Sequence, residues 1–539
     1  CGDWITVVVG VSAGGPRTRR RKRDGQWRHR RFGVDATWGA LPRAAAAMSG
    51  LGEDMSSAAA ADRVIRGSVW RVVGSVAGIA VGILTATLLL RHLGVGESGR
   101  YVTVMSLVAI AGSIADAGLN ITGSRELALR AHEGRRMLIA NLLGLRVMVT
   151  PVAIAAVVLF ALLAGYPPRM VIGTMLAGSG LFIVSLTDAL LLRLTVQLRN
   201  AGLAFVDFLK QMVTFVGVAA LVALGAHLTP FFAIQIAVGL VVLALTPLLV
   251  GAGALVSPRF DKVEQRALLT RSLPLAASIV LGQVYFRLVI VLMSLVSSSE
   301  QVGYFGGSLR AMETLANVPL VVAGVALPVL AAAARDDHAR LRYAIESLGK
   351  GAVVAGVLVM LVSARAAEPV MRVIGGHAFG PAGAVLRIQV CALLFIALCQ
   401  IWTVSLVALG LQRKLILANC LGLLGVGVFA ALLVGPFGAQ GGAAASVLGD
   451  ALLACLIYWR LYGAVGRVSV GVDFLARVAV AAAVAASALL LPGLPDLLDA
   501  ALTGLLFLAI AQLIGVLPKE LHNALATSRL LTRSRAKRS

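Results

Sequence analysis

Ten charged side chains interrupt the long apolar runs of this sequence: Arg71, Asp116, Arg146, Asp188, Asp207, Arg287, Arg310, Glu313, Arg365 and Arg387. A charge at the centre of such a run is costly in lipid, about 2.5–3.5 kcal/mol on insertion scales, so it faces a cavity or a partner. Arginine stays charged at all relevant pH and offers a planar fork of donors that matches phosphate and carboxylate. Several arginines around one cavity therefore favour an anionic ligand; a cationic cargo would call for carboxylates and aromatic faces instead. Arg287 is the most informative. It lies near the middle of its run, beside Gln283 and Tyr285, with no acid on its own helix and hence little to neutralise it. Arg310 and Glu313 are three residues apart and can neutralise each other. Arg71, Asp188, Asp207 and Arg365 read as snorkelling or interfacial groups. The candidate ligand-facing set is Arg287, Arg310, Arg146, Asp116, Glu313 and Gln283.

No catalytic constellation accompanies them. Leu348-Gly349-Lys350-Gly351 contains a Gly-Lys pair, but no Ser or Thr follows and no Gly occupies position 344, so it is not a phosphate loop. Gly425-Val426-Gly427-Val428-Phe429-Ala430 fits a dinucleotide pattern only in letters, because no strand precedes it. The seven histidines are scattered, and Cys391, Cys399, Cys420 and Cys455 fall inside apolar runs with no CxxC pair. No cofactor, metal or disulfide framework is expected.

The elements that must position these charges are set by hydropathy. Hydrophobic residues make up 59% of the chain, mean hydropathy is +0.91, and only 14% of residues are charged, against about 25% in soluble domains. About fourteen apolar segments are expected as helices: 69–90, 101–122, 137–164, 170–192, 204–225, 230–251, 273–296, 303–330, 350–372, 383–409, 415–434, 440–462, 475–491 and 498–516. Each is near the length of roughly 20 residues that a hydrocarbon core of about 30 Å requires. The fold class is an all-α polytopic membrane protein. In helix one, Gly74, Gly78 and Gly82 recur at spacing four, the stripe that permits close helix packing.

Charge then orients the segments. With a cytoplasmic N-terminus, the inside loops hold twenty Lys/Arg, from Arg125 to Arg477, and the outside loops hold four: Arg91, Arg100, Arg169 and Arg372. Cytoplasmic loops retain positive charge, so both termini are expected inside a multi-pass inner membrane protein. The net charge of +23 is explained by this topology and by attraction to anionic lipid headgroups, not by nucleic-acid binding. Residues 1–66 form a basic arm without helical periodicity, and 519–539 a basic cytoplasmic tail. Met48 or Met55 is a plausible start, which would place residues 1–47 outside the native protein; a lipid-binding arm is the rival expectation.

An internal repeat is visible. Glu97–Tyr101 (ESGRY) returns as Glu300–Tyr304 (EQVGY), which sets Tyr101 opposite Tyr304, and Gln197–Arg199 (QLR) returns as Gln412–Lys414 (QRK). Six spans restore the same orientation, so residues 67–260 and 261–465 read as two pseudo-symmetric six-helix bundles, and 466–518 as two additional helices. Such repeats commonly enclose a central site with alternating access.

Several stretches carry a family resemblance. Leu90-Arg91-His92-Leu93-Gly94 with Gly99-Arg100-Tyr101, Ala115-Asp116-Ala117-Gly118-Leu119 and Arg125-Glu126-Leu127-Ala128 resemble the first helical hairpin of polysaccharide-biosynthesis flippases, the Wzx-type members of the MOP (MATE-like) superfamily. Val284-Tyr285-Phe286-Arg287, Gly303-Tyr304, Arg310 through Glu313, Pro319 and Pro328 resemble helices seven and eight, and Gly438–Ala445 the start of helix twelve. The resemblance covers about 69–465. It implies a central cavity and movement of a polyprenyl-pyrophosphate-linked oligosaccharide to the outer leaflet, with a polysaccharide polymerase and glycosyltransferases as partners. Many relatives have an Asp two residues after the helix-seven Arg. Here Val289 stands there, which weakens ion coupling at that spot. The alternatives are a lipid II flippase, a multidrug exporter of the same superfamily, and a membrane-embedded polyprenyl-dependent glycosyltransferase. The last should show a large outside loop or clustered acids near the surface, and this chain shows neither.

Overall fold

The computed structural model describes residues 58–516, apart from 131, 197–199, 252–255, 337, 412, 467, 469–470 and 488–495. The basic arm up to residue 57, the tail from 517 and the QLR turn at 197–199 lie outside the described residues. Without water in the hydrocarbon layer, every backbone N–H and C=O must be satisfied within the segment, and these apolar runs answer by forming helices. Among the described residues there is no strand.

The helices are α1 (Ala58–Asp116), α2 (Leu119–Leu129), α3 (His132–Leu163), α4 (Pro168–Val196), α5 (Asn200–Ala223), α6 (Leu228–Val250), α7 (Lys262–Val296), α8 (Ser299–Asp336), α9 (His338–Gly375), α10 (Ala382–Gln389), α11 (Ala392–Ala408), α12 (Arg413–Val465), α13 (Val472–Ser487) and α14 (Asp496–Leu513). Nine helices among the described residues are long and apolar enough to cross a membrane. Two of these, Ala77–Leu129 and Lys414–Val465, have 53 and 52 residues, enough for two crossings each.

The all-α reading stands, and several boundaries change. Residues 91–100 and 435–439, expected as loops, are helical. Each long rod is interrupted instead at one glycine, Gly94 with φ 72° in α1 and Gly438 with φ 52° in α12. A single left-handed residue re-aims the chain while the turns on either side keep their hydrogen bonds, and only glycine adopts it freely. The expected segment 101–122 ends at Asp116, where Ala117 (φ 41°) and Gly118 (φ 68°) break the helix before α2. The segment 383–409 is divided into α10 and α11. In addition, α1 begins at Ala58, so residues 58–66 of the expected unstructured arm are helical.

Packing follows the repeat. In the N-terminal half α4 packs on α6, and α1 on α5, α3 and α4; in the C-terminal half α12 packs on α7 and α11, and α8 on α11 and α9. The halves meet mainly through α1 against α8 and α7. The α13–α14 pair leans on α9, where Val353, Val354 and Val357 meet Val478, Ala481 and Phe507.

The crossing of α1 and α8 fixes the repeat register. A Cβ on Gly99 would fall 1.9 Å from the Ser299 carbonyl oxygen, and one on Gly303 would fall 2.1 Å from that of Val95. These contacts are reciprocal, with one constant offset: Val95 matches Ser299, and Gly99 matches Gly303. The contact of Gly306 with Val102 obeys the same offset. Under it Tyr101 matches Phe305, not Tyr304. The register expected from the two tyrosines therefore slips by one position, because the glycines, not the tyrosines, form the two-fold contact. Gly78 and Gly82, from the stripe in helix one, face Gln211 of α5, consistent with close packing.

Two rims result. One gathers the turns near Gly94, Tyr166, Gly225 and Ser297; there His92 bonds the Ala226 carbonyl at 2.8 Å, and Tyr166 bonds Ser294 at 2.5 Å across the halves. A cavity of about 230 Å³ lies there, lined by Arg100, Thr103, Tyr166, Ser294 and Ser299 among others. The opposite rim is strongly charged. Arg130 pairs with Glu264 and Arg271 with Glu126, joining α2 to the start of α7.

Candidate functional site

The candidate site stands on α7 and α8, the helices by which the C-terminal half faces α1. Gln283 and Arg287 are four residues apart, one above the other on α7. Arg310 and Glu313 share a face of α8 by the same helical logic. The structure brings Arg287, Arg310 and Glu313 together: Glu313 Oε1 lies 2.9 Å from Arg287 Nη2, and its Oε2 lies 3.3 Å from Arg310 Nη1. Two guanidiniums thus share one carboxylate, and the cluster keeps a net charge of +1. The Arg287 side chain is 23% exposed, Glu313 32% and Arg310 57%. The Nε of Arg287 is buried and meets no acceptor among the described residues.

This corrects the expectation that Arg287 is left without a counter-charge. The acid comes from the neighbouring helix, where a reading of α7 alone does not find it. The same holds for the other intramembrane arginines. Arg365 pairs with Asp499 at 3.3 Å and also donates to the Ala486 carbonyl, clasping α13 and α14 to α9. Arg387 and Arg372 share Glu368. Asp188, expected as a snorkelling or interfacial group like Arg365, pairs with Lys210 at 3.1 Å. The picture of a pocket rich in arginine and poor in acid is therefore too simple. Acids are present: like Glu368, Glu313 serves two cations, and what distinguishes the α7–α8 cluster is its place on the two helices that face α1, with Arg310 half exposed.

Arg146 and Asp116, placed in the same set by sequence, are not brought to it. Arg146 lies inside the N-terminal half. Its Nη1 donates to the Ser185 carbonyl at 2.6 Å, and its Nη2 to Asp116 Oδ1 at 3.0 Å and Asn120 Oδ1 at 2.8 Å. Asp116 is the last residue of α1, so this bond ties down the break at Ala117–Gly118. Only 2% of the Arg146 side chain is exposed. The arrangement fits an internal staple, because no ligand-sized approach to the guanidinium remains.

Sequence reasoning missed several acids inside the expected segments, Glu368, Asp450 and Asp499. Asp450 lies in the expected segment 440–462, and its Oδ1 accepts a hydrogen bond from the Tyr285 hydroxyl at 2.7 Å. The signal was present in the sequence, since an acid inside an apolar run belongs with the other ten charged positions. Among the described residues, no group of three or more His, Cys, Asp or Glu could hold a metal ion.

The structure is similar to the lipid II flippase MurJ in an inward closed conformation, with a TM-score of 0.70 and 10% identity, covering 83% of this chain and 98% of that one. It is also similar to an inward-facing multidrug resistance MATE family transporter of the MOP superfamily (TM-score 0.54, 15% identity, 74% of this chain and 98% of that one). A third likeness is to a MOP superfamily transporter from Pyrococcus furiosus, described as having a binding pocket of reversed polarity (TM-score 0.50, 15% identity, 74% and 95%). At these identities the likeness is one of fold. None of the curated proteins matches the sequence. The family model described as "Polysaccharide biosynthesis protein" matches residues 88–383, more than half of the chain and including every residue of the α7–α8 cluster. The chain therefore belongs to the polysaccharide biosynthesis protein family.

Proposed function

We propose that this protein is a flippase, moving a polyprenyl-pyrophosphate-linked oligosaccharide from the cytoplasmic to the outer leaflet during synthesis of a cell-surface polysaccharide. The observation that carries the reading is the Arg287–Glu313–Arg310 cluster: two guanidinium forks against one carboxylate, on the helices that line the junction of the halves. A pyrophosphate displaces or joins Glu313 and meets both forks, the geometry in which arginine outperforms lysine. Gln283 offers an amide on the same face of α7. The protein acts as a transporter rather than an enzyme, and it works beside the polymerase and glycosyltransferases that make and consume its cargo.

The charge alternation supports the topology. The rim with Arg130, Glu264 and Arg271 belongs to the cytoplasm, and fourteen crossings place both termini there, in the inner membrane. Residues 67–260 and 261–465 are the two moving units, and the basic arm and tail meet anionic headgroups. A second reading, lipid II as the cargo, is favoured by the likeness to MurJ over 98% of that chain. It shares the pyrophosphate and differs in the sugar. Reconstitution in liposomes with labelled lipid-linked glycan tests both. Wild type moves its own glycan, Arg287→Ala moves it at least severalfold more slowly while remaining folded, and lipid II is moved only if the second reading holds. Equal rates for wild type and variant would remove the cluster from the path.

A further inference from the structure

The second part of α12 carries a carboxylate that the anion site does not use. Asp450 is 9% exposed, and the Tyr285 hydroxyl that it accepts belongs to α7, 165 residues away. The bond straps α12 to α7. Gly449 makes room for the phenol: a Cβ there would lie 3.2 Å from the Tyr285 oxygen.

Asp450 differs from the other acids of the helical body in what faces it. Asp116, Asp188, Glu313, Glu368 and Asp499 each meet an Arg or Lys. Among the described residues no Lys, Arg or His pairs with Asp450. The titratable groups around it are the Tyr285 phenol on α7 and the Cys399 thiol on α11, with Cys455 of α12 beyond that thiol. A carboxylate held in a greasy setting without a counter-ion loses much of its hydration free energy. A proton removes that penalty and leaves a group that still bonds the phenol. Each of those five acids has a cation against it, and Asp450 has none among the described residues.

We propose that Asp450 is a proton-binding site, taking up a proton in one arrangement of the two halves and releasing it in another, with Tyr285 carrying the change to α7. The step makes and breaks one O–H bond on the carboxyl group; the proton comes from water and returns to water, and nothing is oxidised or reduced. In the ionised state the phenol donates to a charged acceptor, and such a bond is about twice as strong as a neutral one. Protonation therefore slackens the strap. Arg287 follows Tyr285 by two residues, on another face of the same helix, so a shift of α7 at Tyr285 moves the guanidinium that faces Glu313. The expected weakness of coupling at Val289 is met by a different residue, on a different helix. The coupling part of the inference rests on the transport reading; the protonation itself does not.

Two measurements on the full-length protein test it. Infrared difference spectra between acid and alkaline buffer should contain a carboxylic C=O band in wild type. The band should be absent in Asp450→Asn and displaced in Tyr285→Phe. An unchanged band in Asp450→Asn overturns the site. If the Asn variant fails to fold, Asp450→Glu should keep a band at a displaced position, and an undisplaced band overturns the site equally. In liposomes, a proton gradient should change the rate at which wild type moves labelled lipid-linked glycan, whereas Asp450→Asn should move it at one rate with or without the gradient. A gradient response that survives in Asp450→Asn, or is missing in an active wild type, overturns the coupling. A wild type that moves no glycan under any gradient sinks the transport reading instead, and the infrared band then decides Asp450 alone.

Discussion

In the N-terminal half, Arg146 is sealed: its Nη1 and Nη2 donate to Ser185, Asp116 and Asn120, all from within that half, and its Nε is buried without an acceptor among the described residues. In the C-terminal half, Arg310 is more than half exposed and shares one carboxylate with Arg287. The residue type is the same, and both sit in long apolar helices. What separates them is the ratio of acceptors to donors and the direction in which the guanidinium is left open. A cation sealed from solvent, with both terminal nitrogens met from its own half, holds helices together. A cation that must share its acid has donors to spare for something that arrives.

The comparison is broken most severely at Arg146. Removing one partner of a buried ion pair leaves the other charge uncompensated, a loss of about 3–5 kcal/mol. Arg146→Ala should lower the thermal midpoint in detergent by more than any substitution in the α7–α8 cluster, and Arg146→Ala with Asp116→Asn should recover part of the loss. A midpoint close to that of wild type would show that Arg146 is not a staple, and the contrast between the halves would fall.

The next effect is local. Arg365 bonds both Asp499 of α14 and the Ala486 carbonyl of α13, so Arg365→Met should release the α13–α14 pair from α9. Its charged hydrogen bonds are worth about 1.5–3 kcal/mol each before the cost of the stranded Asp499 is counted. Hydrogen exchange should accelerate in α13 and α14 while α1–α6 stay protected. Exchange that rises evenly over the whole chain would mean that the C-terminal pair is part of the main cooperative unit.

How much of this was written in the sequence depends on how far apart the partners lie. Helix positions were legible, because an apolar run of roughly 20 residues has one stable form in lipid. The joint at Gly94 was not, because residues 91–100 have the charge and glycine content of a loop and yet hydrogen-bond as a helix on either side of one left-handed residue. The pairing of Arg310 with Glu313 was legible at spacing three. The pairings of Arg287 with Glu313, Arg146 with Asp116 and Arg365 with Asp499 were not, since each spans two helices whose contact is a product of packing. The repeat was seen one position out of register, because the eye follows tyrosines while the two-fold contact is made where side chains are missing altogether, at Gly99 and Gly303.

The smallest effects are the ones that sharpen the comparison, because they separate stability from binding. Arg310 is exposed, and an exposed ion pair contributes about 0–1 kcal/mol. Arg310→Ala should therefore unfold within about 1 kcal/mol of wild type, while its affinity for inorganic pyrophosphate, followed by calorimetry in detergent, falls severalfold. Glu313→Gln moves the other way. It keeps the shape of the acid, removes its charge and raises the cluster from +1 to +2. An added unit of attraction near a partly solvated site is worth about 1 kcal/mol, or roughly fivefold in affinity, and should fade as salt is raised. The same glutamine at Glu313 should also slow release of the cargo, so a variant that binds pyrophosphate more tightly should transport more slowly. If Glu313→Gln instead binds more weakly, the carboxylate is organising the two forks rather than competing for them, and the net positive charge is not what holds the anion.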